Sequence, residues 1–239
     1  MKIAFIICRK ELKEVMRDKK MIIPFFIFPV VLLVAFIFVI RGIISSPVGL
    51  DQIIKRLLPA FMMIQGIVAA AFSLGIAVES FVGEKERKTF EPLLATPISD
   101  AELFLGKCLA ATLMPISAAY ILEILFFGMM AIQFARVHLY YTVPVASILF
   151  IAALIPVVSL MMCSLAAIVS TLSSTVKGAA QITSFIIIPF IVFFQKAGPR
   201  IMASEASMLL TIAIIGVMDV LMLYTGSRVF RRERLISSL

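Results

Sequence analysis

Six apolar runs separated by short polar stretches set the pattern of this chain. They occupy residues 21–40, 58–78, 108–132, 144–170, 181–194 and 207–227. A helix needs about 20 apolar residues to cross the ~30 Å hydrocarbon core of a bilayer, and all but the short fifth run are close to that length or longer. Each run reads as a transmembrane helix. Pro24 and Pro29 fall inside the first and are expected to bend it; Pro156 and Pro189 interrupt the fourth and fifth. Gly66, Ala70, Ser73 and Ala77 in the second follow an i, i+4, i+7, i+11 track. That spacing puts small residues on one helix face, where a neighbour can approach closely in lipid.

The polar connections differ in character. Residues 1–20 are basic, with Ile3, Ile6, Ile7, Val15 and Met16 at helical spacing, which predicts an interfacial helix lying on a leaflet. Residues 41–57 and 133–143 read as loops, and 171–180 as a small polar turn. Residues 195–207, with Lys196, Gly198, Pro199 and Arg200, read as a loop that either projects or dips back into the membrane. The expected fold is therefore all-α: a single polytopic membrane domain over residues 1–239, six transmembrane helices and an interfacial helix.

Residues 83–100, GEKERKTFEPLLATPISD, form the one long polar segment between two strongly apolar runs. Glu84 and Lys88 are four apart, in the favourable order for a helical ion pair. Thr89 can cap a short helix whose first turn tolerates Pro92. Thr96 precedes Pro97 and is pushed out of the helical region, which ends that helix near Ala95. Ser99 with Glu102 forms a capping box for the next one. The spacing predicts a clamped helix of about two turns presenting Phe90, Leu93 and Leu94.

Composition supports the membrane reading. The 239 residues are 62% hydrophobic and 15% charged, with a mean hydropathy of +1.12, which excludes a water-soluble domain of this size. The net charge of +8 comes from residues flanking the apolar runs, not from one patch, and so argues for membrane orientation over nucleic-acid binding. With both termini on the side of residues 83–100, that side carries 16 of the 22 Lys and Arg. The termini and the polar segment are accordingly expected in the cytoplasm, and the chain in the cell's inner (plasma) membrane. Cys8, Cys108 and Cys163 are too scattered for a disulfide framework or a metal cluster, and no metal or other cofactor is expected on this chain.

Candidate chemistry is sparse. No Gly-x-x-x-x-Gly-Lys-Ser/Thr loop occurs, so the chain is not expected to hydrolyse ATP itself. Gln65, Glu123, Gln181 and Asp219 fall within apolar runs, where an ionisable group costs about 2.5–3.5 kcal/mol on insertion scales. Glu123 and Asp219 have two readings: hydrogen-bonded glue between helices, with Tyr120, Tyr224 or Thr225 as partners, or a cation or proton site used in transport. His138 stands alone in a loop and reads as a surface residue.

The pattern Thr89-x-Glu91-x-Leu93-Leu94-x-Thr96-Pro97-Ile98-Ser99, followed by Leu105-Gly106-Lys107 and placed between two apolar spans, resembles the second-to-third-span loop of ATP-binding cassette permeases of export type 2. Many members carry Gly before the Thr, where this chain has Lys88. The resemblance implies that the segment is a coupling helix seated in a groove of a separate ATPase subunit, with Glu84, Thr89, Phe90, Glu91, Leu93, Leu94, Thr96 and Pro97 as its working residues. It also implies a second permease copy or homologue. The second and fifth spans would then face one another across a path lined or shaped by Gln65, Gly66, Gly75 and Gln181. ATP and magnesium would belong to the ATPase. Two alternatives stay open: a gradient-driven transporter using the intramembrane carboxylates, and a non-transporting membrane anchor for an ATPase.

Overall fold

A computed structural model describes residues 2–44, 50–87, 98–136, 145–201 and 203–229. The elements in order are α1 (Lys2–Arg17), α2 (Lys19–Ile44), α3 (Leu50–Val78), a π-helical turn (Glu79–Gly83), α4 (Glu84–Glu86), α5 (Asp100–Arg136), α6 (Val145–Leu149), a second π-helical turn (Phe150–Leu154), α7 (Ile155–Val169), α8 (Val176–Ile201) and α9 (Glu205–Val229). Among the described residues, six helical stretches are long and apolar enough to cross a membrane. The chain is an all-α polytopic membrane protein.

The six expected spans are present, but several are longer than their apolar runs. Residues 50–57, read as loop, belong to α3, because a helix does not end where its apolar face ends. The larger correction concerns the fifth span. It runs unbroken over Val176–Ile201, so residues 195–201 are helix, and α9 begins at Glu205. Residues 195–201 thus form neither a projecting loop nor a re-entrant dip. The helix packs closely on α3 there: a Cβ on Gly198 would lie 1.8 Å from Met63 Sδ, so a larger residue would require the Met63 side chain to move. Phe194 and Ile201 are buried on the same helix.

The bundle is built around α3, which packs on α2, α5, α7 and α8. Of its apolar window 67% is buried, against 11% for α8. The small-residue track explains the difference. Ala70, Ser73 and Ala77 are buried, and a Cβ on Gly66 would meet the Phe150 ring at 2.7 Å. Ser73 Oγ lies 3.0 Å from Ala111 O and 3.1 Å from Ser159 O, tying α3 to both α5 and α7. Toward the start of α3, Phe61 stacks on Phe36 of α2 at 4.1 Å and on Phe126 of α5 at 4.6 Å.

The N-terminal helix divides its apolar residues instead of laying them on one surface. Ala4, Ile7, Cys8 and Glu11 are buried, and α1 packs along α5. Phe5, Ile6 and Met16 stay exposed, with Arg9, Lys13 and Arg17 beside them. The contact with α5 requires glycine at position 106. A Cβ there would lie 2.8 Å from Ala4 O and 2.9 Å from Ile7 Cβ, and backbone oxygen cannot swing aside.

Burial, with the Glu11 carboxylate nearby, raises the pKa of the Cys8 thiol above its ordinary value and keeps it unreactive. Gly106→Val is expected to lift α1 from α5 and expose that thiol. Maleimide labelling at pH 7, with the adduct mapped by peptide mass spectrometry, should rise about tenfold or more at Cys8. An unchanged rate would show that α1 tolerates the side chain.

Candidate functional site

The most concentrated polar chemistry in the described residues lies where α1, the first π turn, α4 and the beginning of α5 converge. At about 1.5 Å per residue, the 37 residues of α5 extend roughly 55 Å, well beyond the ~30 Å apolar core of a bilayer. Its first turns, which carry Asp100, Glu102 and Lys107, therefore stand at one edge of the membrane.

Lys107 is the hub. Its side chain is fully buried, and Nζ is 2.8 Å from Glu84 Oε2 and 3.4 Å from Glu11 Oε1. It also donates to Ser80 O at 2.9 Å and lies 3.1 Å from Ser80 Oγ. The Ser80 hydroxyl donates in turn to Glu11 Oε2 at 2.6 Å. The Phe81 ring covers the ammonium from 5.8 Å. Lys10 sits at the rim, 3.7 Å from both Glu11 and Glu84.

The π turn makes this arrangement possible. One extra residue in the turn interrupts the α-helical ladder, so that a backbone carbonyl such as that of Ser80 can take an outside donor. Phe81, Val82 and Gly83 are consecutive and all buried. Glu79, at the head of the turn, reaches Arg87, and its carboxylate folds over Gly83.

The expected Glu84–Lys88 pair involves a residue outside the description; within it, Glu84 pairs with Lys107 and Lys10. Thr89, Phe90, Glu91, Leu93, Leu94, Thr96 and Pro97 lie outside the described residues as well. Beyond them the expected capping box is present. Glu102 N–H donates to Ser99 Oγ at 3.3 Å, and the Ser99 hydroxyl donates to Glu102 Oε2 at 2.9 Å. The segment 88–97 is thus flanked by Glu84, held in the lysine network, and by Ser99, which caps α5.

The four residues assigned to a path do not share one surface within the chain. Gly66 lies beneath Phe150. Gly75 opens on a crevice of about 180 Å³ lined by Val15, Ile22, Phe25, Phe72 and Met114. Gln65 is buried beside a cavity of about 10 Å³, at the lower limit for a single water. Gln181 is exposed on α8.

The two intramembrane carboxylates also separate. Asp219 accepts from Ser164 Oγ at 3.3 Å, linking α9 to α7, so its partner is Ser164 and not Tyr224 or Thr225. The Thr225 hydroxyl bonds its own helix at Leu221 O. Glu123 is buried, and neither of its oxygens has a hydrogen-bond partner among the described residues. The Tyr120 hydroxyl reaches Ala152 O at 3.4 Å.

Lys107 is the residue that reading along the chain underrates. It ends the Leu105-Gly106-Lys107 run and looks like one more basic residue at a span boundary. Glu11, Ser80 and Gly106 gain their roles only through it and through α1. The signal was a lysine inside a helical apolar register, two turns past a cap.

The family described as ABC-2 family transporter protein matches residues 5–232, nearly the whole chain. No curated protein matches it.

Lys107→Met leaves Glu11 and Glu84 facing each other with only the exposed Lys10 at the rim, and breaking a buried pair in this way costs about 3–5 kcal/mol. The variant should melt well below wild type in detergent. Adding Glu11→Gln and Glu84→Gln to Lys107→Met should recover much of the loss, since no buried charge is then left uncompensated and Lys10 keeps Glu14. Equal melting of the single and triple variants would disprove the network's electrostatic role.

Proposed function

The chain belongs to the ABC-2 transporter family, and on that premise we propose that it is the membrane-spanning permease subunit of an ATP-driven exporter, moved by an ATPase carried on a separate polypeptide. The observation that carries this reading is the two-sided clamp on residues 88–97: the Lys107–Glu84–Glu11 network before them and the Ser99–Glu102 capping box after them. A short helix held at both ends passes on rigid-body displacement, whereas a slack loop absorbs it. Phe90, Leu93 and Leu94 would form its docking face, in the helix-in-groove mode of recognition. Glu84, Thr89, Glu91, Thr96 and Pro97 would hold its geometry.

In this reading the clamp and both termini lie in the cytoplasm of a cell whose inner membrane the six helices cross. The excess of Lys and Arg on that side supports the orientation. ATP and magnesium would bind the partner, since this sequence has no phosphate loop. A second copy or a homologue would complete the transporter. The sparse burial of α8 supports this, because Gln181 and Ser184 lie exposed on a helix that crosses lipid. ATP would drive the cycle by binding one arrangement of the assembly more tightly than the other, which is the only way a ligand shifts such an equilibrium.

One observation favours a second reading, ion-coupled transport without an ATPase: the buried carboxyl of Glu123, which has no hydrogen-bond partner among the described residues. The two readings separate experimentally.

Affinity purification of the permease in mild detergent should bring down a cassette-type ATPase, and Leu93→Asp with Leu94→Asp should abolish the association. Persistence of the ATPase on the double variant would place the contact elsewhere. Glu123→Gln should leave ATP-stimulated activity of the purified complex within about threefold of wild type, the scale of roughly 0.6 kcal/mol typical of one interhelical polar contact. Transport that persists on ATP depletion but is lost on collapse of an ion gradient and in Glu123→Gln would favour the ion-coupled reading.

A further inference from the structure

Glu86 is the last residue of α4, where the chain leaves the second span for residues 88–97. Its Oε2 accepts a hydrogen bond from the backbone N–H of Val176 at 2.7 Å, across 90 residues of sequence. Val176 is the first residue of α8. Its amide is one of the four at a helix start that no carbonyl of the same helix can reach.

The turn before α8 satisfies its neighbour and leaves this donor for Glu86. Thr175 Oγ1 accepts from Gly178 N–H at 3.2 Å, as an N-cap does. Ser173 Oγ accepts from Thr175 N–H at 3.4 Å and donates to Thr175 O at 2.9 Å, closing the turn on itself. A Cβ on Gly178 would lie 2.8 Å from Ser173 Oγ, so the compact turn needs glycine there. A carboxylate at a helix start is favoured both by charge-assisted bonding and by the helix dipole.

Glu84 and Glu86 are two residues apart, which at about 100° per residue sets them on opposite faces of the helix. Glu84 joins the buried lysine network and through it α1 and α5. Glu86 joins the start of α8, whose apolar window is only 11% buried and which otherwise rests mainly on α3. The first π turn packs against α8 as well.

We infer that Glu86 is a positioning residue that carries displacement of the 88–97 segment to the start of the fifth span. This rests on the coupling role proposed above. Glu84 fixes the segment to α1 and α5 through Lys107, and Glu86 connects it to the sparsely buried α8.

Hydrogen–deuterium exchange of the permease–ATPase complex in lipid nanodiscs tests it, because the bonded amide is itself the reporter. Without nucleotide, Glu86→Ala should speed exchange at Val176 about tenfold or more, as expected when one charge-assisted hydrogen bond is lost. Glu86→Gln, which keeps an acceptor oxygen, should stay within about threefold of wild type. On addition of ATP and vanadate, exchange over residues 173–178 should change in wild type and in Glu86→Gln but not in Glu86→Ala. ATP hydrolysis by the complex should continue in all of them. Glu86 is exposed, so none of these changes threatens the fold.

Equal exchange in wild type and Glu86→Ala would overturn the bond. An undiminished nucleotide response in Glu86→Ala would overturn the transmitting role alone. Absence of any ATPase from the wild-type preparation would instead overturn the permease reading, and the transmitting role with it. The nucleotide-free comparison would then judge the bond separately.

Discussion

The buried ammonium of Lys107 is the constraint on which the end of the bundle nearest residues 88–97 depends. Lipid tails are as apolar as leucine, so burying leucine against leucine does little to hold helices together in a membrane. Close approach of small residues and polar bonds between helices must do it instead. A single interhelical hydrogen bond such as those of Ser73 contributes on the order of 0.6 kcal/mol. Breaking a buried, multiply bonded charge costs several times more. Lys107 joins α1, the π turn and α5 at one atom.

Around that anchor the helices are packed to different degrees. α3, α5 and α7 interlock through Gly66, Ser73 and Ala77, and α1 is locked on α5 at Gly106. α9 packs closely on α7, while α2, α5, α8 and α9 all expose most of their apolar windows, α8 the most. Polar satisfaction differs across the bundle too: Asp219 has Ser164, while Glu123 and Gln65 are buried with no hydrogen-bond partner among the described residues. On the proposed reading, force entering at residues 88–97 would meet one support through Glu84 and one connection to α8 through Glu86.

Much of this was legible in one dimension. The spans follow from apolar length, and the track Gly66, Ala70, Ser73, Ala77 correctly marks the packed face of α3, because helical periodicity and residue size are local properties. The Ser99–Glu102 cap follows from the same locality. The fifth span was misread at its far end, since Gln195, Lys196, Gly198 and Pro199 all look like loop. That stretch is nonetheless helical, and its Gly198 sits on Met63, a residue 135 positions away.

The sequence alone determined the class of protein, the number of crossings, the side expected to face the cytoplasm and the segment 83–100 as the place to look for a partner. Those properties rest on composition, periodicity and charge count, which need no knowledge of which residues meet. Only the tertiary structure decided that Lys107 is enclosed by Glu11, Ser80 and Glu84, that Gly106 is the seat of α1, and that Glu86 caps α8. Each of these joins positions far apart in the chain, and the direction in which a charged side chain turns is set by the neighbour that folding brings to it.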